Sequence, residues 1–269
     1  MKSVYDVGGM PAIMKVFVNY ATENFFPAQR FSSKMAVKLG GFDRVIENSP
    51  ATLGAEFKSV HSAILSEARG AGYWLWKPYC ILTALYQVND GDLVMYADSA
   101  SHFIRPADPL FALPTLTGQD VIPFSLDLPE AHWTKRDAFF LMDCDRQGFE
   151  QKPQRLASFI LARKSSHSIA FFQDYLNYCS DPRILTDIQN MCDLPNYPGF
   201  QDHRHDQSVF SLLSKKLGLS AFRDPSQWGN SQMSAFPNSN YPQLIEHTRQ
   251  KSPKQATLSY KLKRFFFPK

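Results

Sequence analysis

Four short segments of the chain hold residue types that could do chemistry. The first is Tyr96-Ala-Asp98-Ser-Ala-Ser101, which ends the apolar run Asp92-Leu-Val-Met-Tyr-Ala-Asp98. A strand that delivers a carboxylate at its C-terminal end places it in the crevice where open α/β sheets bind ligands. Beside a diphosphate, such a carboxylate is useful through a divalent cation or through a ribose hydroxyl. The same aspartate could instead close a turn, with Ser99 and Ser101 assisting. The second segment, Gly72-Tyr73-Trp74-Leu-Trp76-Lys77-Pro78, sets aromatic rings and a cation before a helix expected to start at Pro78. Lys77 would give a point charge for phosphate, and the helix start would add backbone donors. The alternative is an aromatic cluster that plugs the edge of the core.

The third segment is Phe200-Gln-Asp-His203-Arg-His205-Asp206-Gln207-Ser208. Asp206 precedes a helix expected from Gln207 to Leu217. It is either an N-cap or a carboxylate that deprotonates or holds an acceptor hydroxyl. His203 and His205 lack a clear third and fourth ligand for a zinc site. In the fourth segment, Glu130-Ala-His-Trp133-Thr134-Lys-Arg-Asp137, Glu130 and Trp133 could hold an acceptor sugar. Thr134 and Asp137 also read as an ordinary helix start.

These segments need a scaffold. Met14–Tyr20 and Phe42–Ile46 read as strands, with helices over Glu23–Leu39 and Leu53–Ala68. This alternation implies an α/β fold with a parallel sheet. A helix from Pro78 to Val88, a strand over Val121–Leu126, a helix over Thr134–Met142, a strand over Phe159–Arg163 and a helix over Ser166–Tyr178 continue it. From Asp224 onward the chain reads as polar loop.

Composition sets the outer limits. The chain has 269 residues, 44% of them hydrophobic and 20% charged, which supports a sizeable core. A net charge of +4 is too small to argue for nucleic acid. The four cysteines form no CxxC pair, so neither a zinc template nor a disulfide framework is expected. The start of the chain lacks a clean apolar core for a signal peptide, and no apolar run approaches a membrane span. The expectation is a cytoplasmic protein. The tail Lys261-Leu-Lys-Arg-Phe-Phe-Phe-Pro-Lys269 joins cations to rings, and could press on the inner face of a membrane.

Taken in order, Arg69-Gly-Ala-Gly-Tyr-Trp-Leu-Trp-Lys-Pro78, Gly91–Asp98, Trp133-Thr-Lys135, His203-Arg-His-Asp-Gln-Ser208, Asp224-Pro-Ser-Gln227 and His247-Thr-Arg249 resemble a family of small bacterial and viral polysaccharide glycosyltransferases. The resemblance runs from about Val16 to Arg249. It implies a GT-A-like (Rossmann-like) α/β fold with a mostly parallel central sheet flanked by helices. A single domain over residues 1–250 would carry a basic, aromatic tail over 251–269. The implied activity is that of a hexosyltransferase. The implied partners are a nucleotide-sugar donor, a UDP-sugar first of all, and a glycan or lipid-linked glycan acceptor. Val18, Asn19 and Tyr20 would meet the base, with Tyr73, Trp76, Lys77, Asp98 and Gln207 also on the donor. Asp206 and Glu130 would be catalytic. A divalent cation, Mn2+ or Mg2+, would sit on Asp98 and His247. The chain departs from the Asp-x-Asp pattern, because Ala100 stands where the second carboxylate would be. Two competing readings are a non-catalytic nucleotide- or glycan-binding protein and a nucleotidyltransferase. The second needs a glycine-rich basic loop after the first strand, and Tyr20-Ala-Thr-Glu-Asn24 is not one.

Overall fold

The computed structural model describes residues 12–252. Residues 253–269, and with them the expected membrane contact of the tail, lie outside the described residues. No described helix is long and apolar enough to cross a membrane.

The described residues form eight strands: β1 (Lys15–Tyr20), β2 (Arg44–Asn48), β3 (Leu93–Ala97), β4 (Ser101–Phe103), β5 (Val121–Pro129), β6 (Pro153–Arg163), β7 (Phe222–Arg223) and β8 (Ile245–His247). Six of them form one sheet in the order β2-β1-β3-β6-β5-β7, and β4 pairs with β8 in a second, two-stranded sheet. Within the large sheet β1 is parallel to β2 and β3, β5 is parallel to β7, and β6 runs antiparallel to both of its neighbours. The sheet is therefore parallel except for β6, as expected for an α/β fold of this class.

The central strands are apolar on both faces because both faces are covered. In β1, Val16 and Val18 point to one core cluster and Phe17 to the other. In β3, Val94 and Tyr96 oppose Leu93, Met95 and Ala97. The first cluster is packed by three helices, Trp76–Leu85, Ser166–Cys179 and Asp206–Lys216. The second is closed by Phe42, Phe103, Phe111 and the C-terminal residues Tyr241, Leu244 and Ile245.

Several elements differ from the reading of the sequence. The second strand lies two residues later than Phe42–Ile46, because the Phe42 ring packs into the second cluster against Phe17 and Phe103. The helix expected over Leu53–Ala68 is two short ones, Ala55–Val60 and Ser62–Leu65, broken where His61 leaves helical geometry (φ −105°, ψ 20°). The helix expected at Pro78 starts at Trp76, so Pro78 falls in its first turn, where a missing N–H costs nothing. This places Lys77 on the helix itself. β6 is an 11-residue strand rather than Phe159–Arg163. The stretch after Asp224 is not all loop: it contains a 3-10 helix over Gln227–Ala235 and strand β8.

Candidate active site

A cleft of about 560 Å3 opens at the C-terminal ends of β1 and β3. Its walls include Tyr20, Gly70, Trp74, Trp76, Asp98 and, from the C-terminal segment, His247 and Arg249. Each wall has a local cause.

Between residues 70 and 74 the chain makes a left-handed turn. Gly70, Ala71, Gly72, Tyr73 and Trp74 all have positive φ, between 51° and 95°. Left-handed backbone costs a non-glycine residue about 1–2 kcal/mol. It is held here by hydrogen bonds from the N–H groups of Gly72 to Glu67 O (2.8 Å) and of Tyr73 to Arg69 O (2.7 Å). The Trp76 indole N–H adds one to Gly70 O (3.0 Å). The two glycines are required. A Cβ on Gly70 would lie 2.3 Å from the Trp74 ring, and one on Gly72 would lie 2.8 Å from Leu65 Cα. The turn delivers Trp74 to the cleft and Tyr73 away from it, with the Tyr73 ring against His205 at 4.8 Å.

Trp76 stacks on Tyr20 with ring centroids 3.7 Å apart and planes within 10°. Of the three residues at the end of β1, Tyr20 alone lines the cleft. Val18 is fully buried in the core. Asn19, also fully buried, donates to Ser33 Oγ (3.0 Å) and accepts from Gln29 (3.0 Å), which ties β1 to the Phe26–Met35 helix.

Asp98 stands on the cleft with its side chain 29% exposed. Its Oδ1 accepts the Tyr96 hydroxyl (2.8 Å), and the Lys77 ammonium lies 3.7 Å from the same oxygen. Behind it, Lys77 is bonded to Asp206 Oδ2 at 2.6 Å, and Tyr175 donates its hydroxyl to that oxygen (3.2 Å). A chain of Tyr96, Asp98, Lys77, Asp206 and Tyr175 thus runs inward from the cleft, with Tyr96 and Asp98 lining it and the other three buried behind. Burial pushes Asp206 up to about 6, further than Lys77 pulls it down. Burial works against the Lys77 charge, yet Asp206 and then Asp98 hold it above its ordinary value. Burial keeps the hydroxyls of Tyr96 and Tyr175 protonated, and the neighbouring carboxylates add to this. Asp206 is not an N-cap: it is the first residue of its helix, and its carboxylate turns to Lys77 and Tyr175. The strained residue is His205 before it, at φ 50°.

The other residues singled out by sequence fall elsewhere. Glu130 is fully buried, paired with Lys215 at 2.5 Å and hydrogen-bonded by Thr134, Gln154 and Ser211. It does not line the cleft. Gln207 accepts from the Ala157 N–H (3.3 Å) and donates to Gln154 (2.8 Å), so it braces β6. Trp133 is stacked under the Arg204 guanidinium, 3.9 Å from the ring centroid. His203 and His205 each bond a carbonyl of the Pro182–Leu185 helix, Ile184 O and Leu185 O (both 2.8 Å), and His203 also accepts the Lys135 N–H (3.2 Å), whereas His205 Nε2 is buried without a hydrogen-bond partner among the described residues. Asp137 likewise anchors a loop through the N–H groups of Met191 and Cys192 (2.9 Å).

The fit of a divalent cation follows from the donor set. Asp98 and His247 both line the cleft. Among the described residues no group of three or more His, Cys, Asp and Glu side chains converges. The Ser99 hydroxyl is turned to Tyr20 O (2.7 Å), and Ala100 has no donor side chain. A cation at Asp98 would also stand beside the Lys77 ammonium. Among the described residues, the side chains around Asp98 do not make a metal cage. The residues that the motifs left without a role are Trp74, Tyr175 and Arg249. Tyr175 is hidden in a helix that reads simply as amphipathic, and Arg249 is a lone arginine in a polar stretch.

No protein-family model matches the chain, and no curated protein matches it. Among solved structures, the bifunctional glycosyltransferase WbbM in its apo form is similar over 94% of this chain and 47% of its own, at 10% identity and a TM-score of 0.50. Mouse xyloside xylosyltransferase 1 is similar over 90% of this chain and 99% of its own, at 14% identity and a TM-score of 0.46. The galactosyltransferase LgtC, solved with donor and acceptor sugar analogues, is similar over 87% of each chain, at 13% identity and 0.44. The likeness to WbbM is one of fold, and it gives this chain the α/β architecture of GT-A glycosyltransferases.

Proposed function

We propose that the protein is a glycosyltransferase that moves a sugar from a nucleoside-diphosphate donor, a UDP-hexose first of all, to a hydroxyl of a glycan. The observation that carries this reading is the Asp98–Lys77–Asp206 chain, which runs inward from Asp98 on an aromatic-walled cleft at the C-terminal edge of the parallel strands. The aromatic wall of Tyr20, Trp74 and Trp76 suits a base or a sugar ring. Asp98 suits a ribose hydroxyl. In the transfer, the bond from the sugar to the diphosphate breaks and a bond to the acceptor oxygen forms. The acceptor proton leaves, and Asp206, ionised above about pH 6, provides a carboxylate to receive or orient it.

The test has two arms. Thermal stability is measured against a panel of nucleotide sugars, since specific ligands stabilise the fold by mass action. Transfer by Asp206→Asn is then compared with wild type, with loss of transfer expected while donor affinity stays within a few-fold. Wild-type turnover in that variant removes Asp206 from the mechanism. The burial of Asp206, 3% exposed, favours a second reading, a nucleotide- or glycan-binding protein without catalysis. Even slow hydrolysis of the donor by the wild type alone argues against it. A lipid-linked acceptor belongs to the same proposal. If a chain ending at Ser259 bound anionic liposomes as well as the full chain, the membrane part would fail.

A further inference from the structure

The position two residues beyond Asp98 is occupied in an unexpected way. Ala100 has no acidic side chain, but its carbonyl oxygen accepts three hydrogen bonds from one segment: the Thr248 N–H (2.9 Å), the Thr248 hydroxyl (2.9 Å) and the Arg249 N–H (3.2 Å). The β4–β8 pairing, Ser101 opposite His247, fixes this contact. The fold therefore brings an arginine to the turn where a second carboxylate would have stood.

Arg249 is built to stay there. It is exposed, it lines the cleft, and its guanidinium lies 5.4 Å from the Trp228 ring centroid. Its backbone is left-handed at φ 57°, a conformation that a non-glycine residue holds at a cost and that clusters at binding sites. Arg69, Arg136, Arg163 and Arg183 each pair with an aspartate, whereas no carboxylate among the described residues pairs with Arg249. A second guanidinium is near. Arg204, fixed over Trp133, is lowered by burial and then by the Arg249 charge, so the two guanidiniums repel. An anion held by Arg249 would relieve that repulsion. On the metal side of the balance, Asp98 Oδ1 is already shared by Tyr96 and Lys77, and the sequence of residues 253–269 contains no Asp, Glu, His or Cys.

We propose that this protein binds the diphosphate of its donor without a divalent cation, Arg249 contributing from the C-terminal wall the positive charge that a metal on a second carboxylate would otherwise contribute. The inference rests on the donor reading of the cleft. A planar guanidinium can pair two phosphate oxygens at once, which a lysine ammonium cannot.

The test is calorimetric titration of the full chain in EDTA with a nucleoside and its diphosphate, uridine against UDP and guanosine against GDP. The expected result is that one diphosphate binds at least about ten-fold tighter than its nucleoside. Added Mn2+ should change this by less than about three-fold. Arg249→Met should remove most of the diphosphate advantage while leaving nucleoside affinity unchanged, which also reports that the cleft is intact. Arg249→Lys should restore part of it. A diphosphate advantage that appears only with Mn2+, or that survives Arg249→Met, overturns the inference while leaving the donor reading in place. If neither nucleoside nor diphosphate binds with or without Mn2+, the donor reading falls and takes this with it.

Discussion

Among the buried lysine–carboxylate pairs of the described residues, two meet closely and differ in their surroundings. Lys215 and Glu130 meet at 2.5 Å, and the carboxylate also collects Thr134, Gln154 and Ser211. Every neighbour there is a donor to one anion, and none of these side chains reaches the cleft. Lys77 and Asp206 meet at 2.6 Å, but Lys77 also faces Asp98, which is exposed to the cleft. One cation is shared by two carboxylates, one of them open to ligand, and burial, with the Asp98 charge adding, pushes Asp206 up to about 6. Burial and pairing alone therefore do not mark a reactive site. A link to a cleft and an imbalance of charge do.

The sharpest way to break this comparison is to remove each lysine. Lys77→Met and Lys215→Met should both lose stability by about 3–5 kcal/mol, because each strands a buried carboxylate. Denaturant midpoints measure this. Transfer per folded molecule should vanish only in Lys77→Met, and equal transfer by both variants would erase the distinction. Next in size, Asp206→Asn should lower transfer by about 100-fold or more, with donor affinity held within a few-fold. The third expectation concerns pH. The folded Asp206 is raised from 3.8 to about 6, so its contribution is fully present below the unfolded value and is lost as pH rises through about 6. Stability measured from pH 4 to 7 should fall through this window by an amount on the order of 2 kcal/mol. That fall should be absent in Asp206→Asn, while transfer by the wild type rises across the same window. The smallest effect is expected from Arg69→Met. Arg69 pairs with Asp187 and Asp202 at 3.0 and 2.6 Å, but these groups are 38–48% exposed. Its loss should cost less than about 1 kcal/mol. A larger cost would show that these surface pairs hold the left-handed turn that follows.

The frame was legible in the sequence because periodicity and burial follow the same rule. β1 and β3 are short runs apolar on both faces, and both were found. Their ends delivered Tyr20 and Asp98 to the cleft as expected. What failed was anything decided by partners far away in sequence. Glu130 and Asp206 are both acidic residues at a helix start, and only the three-dimensional position of Lys215 or Lys77 separates them. Asn19 could not be distinguished from a base ligand until Gln29 and Ser33 were seen to occupy it. β8 is three residues long, and its pairing with β4 gave no pattern to read. Nothing local in the sequence therefore marks Arg249 as part of the cleft.

That last strand has a consequence for how the molecule comes into being. Thr248 and Ala100 are bonded across a separation of 148 residues. The strands of the sheet that carries Asp98 are complete at β7, but Leu244 and Ile245 still have to close its second core cluster, and the cleft has no opposite wall until β8 and Arg249 have been synthesised. One short C-terminal segment therefore finishes the core and the ligand wall together. Binding competence and full stability arrive as one late event, and a truncation at residue 243, which removes Leu244 and Ile245 as well as Arg249, should lose both.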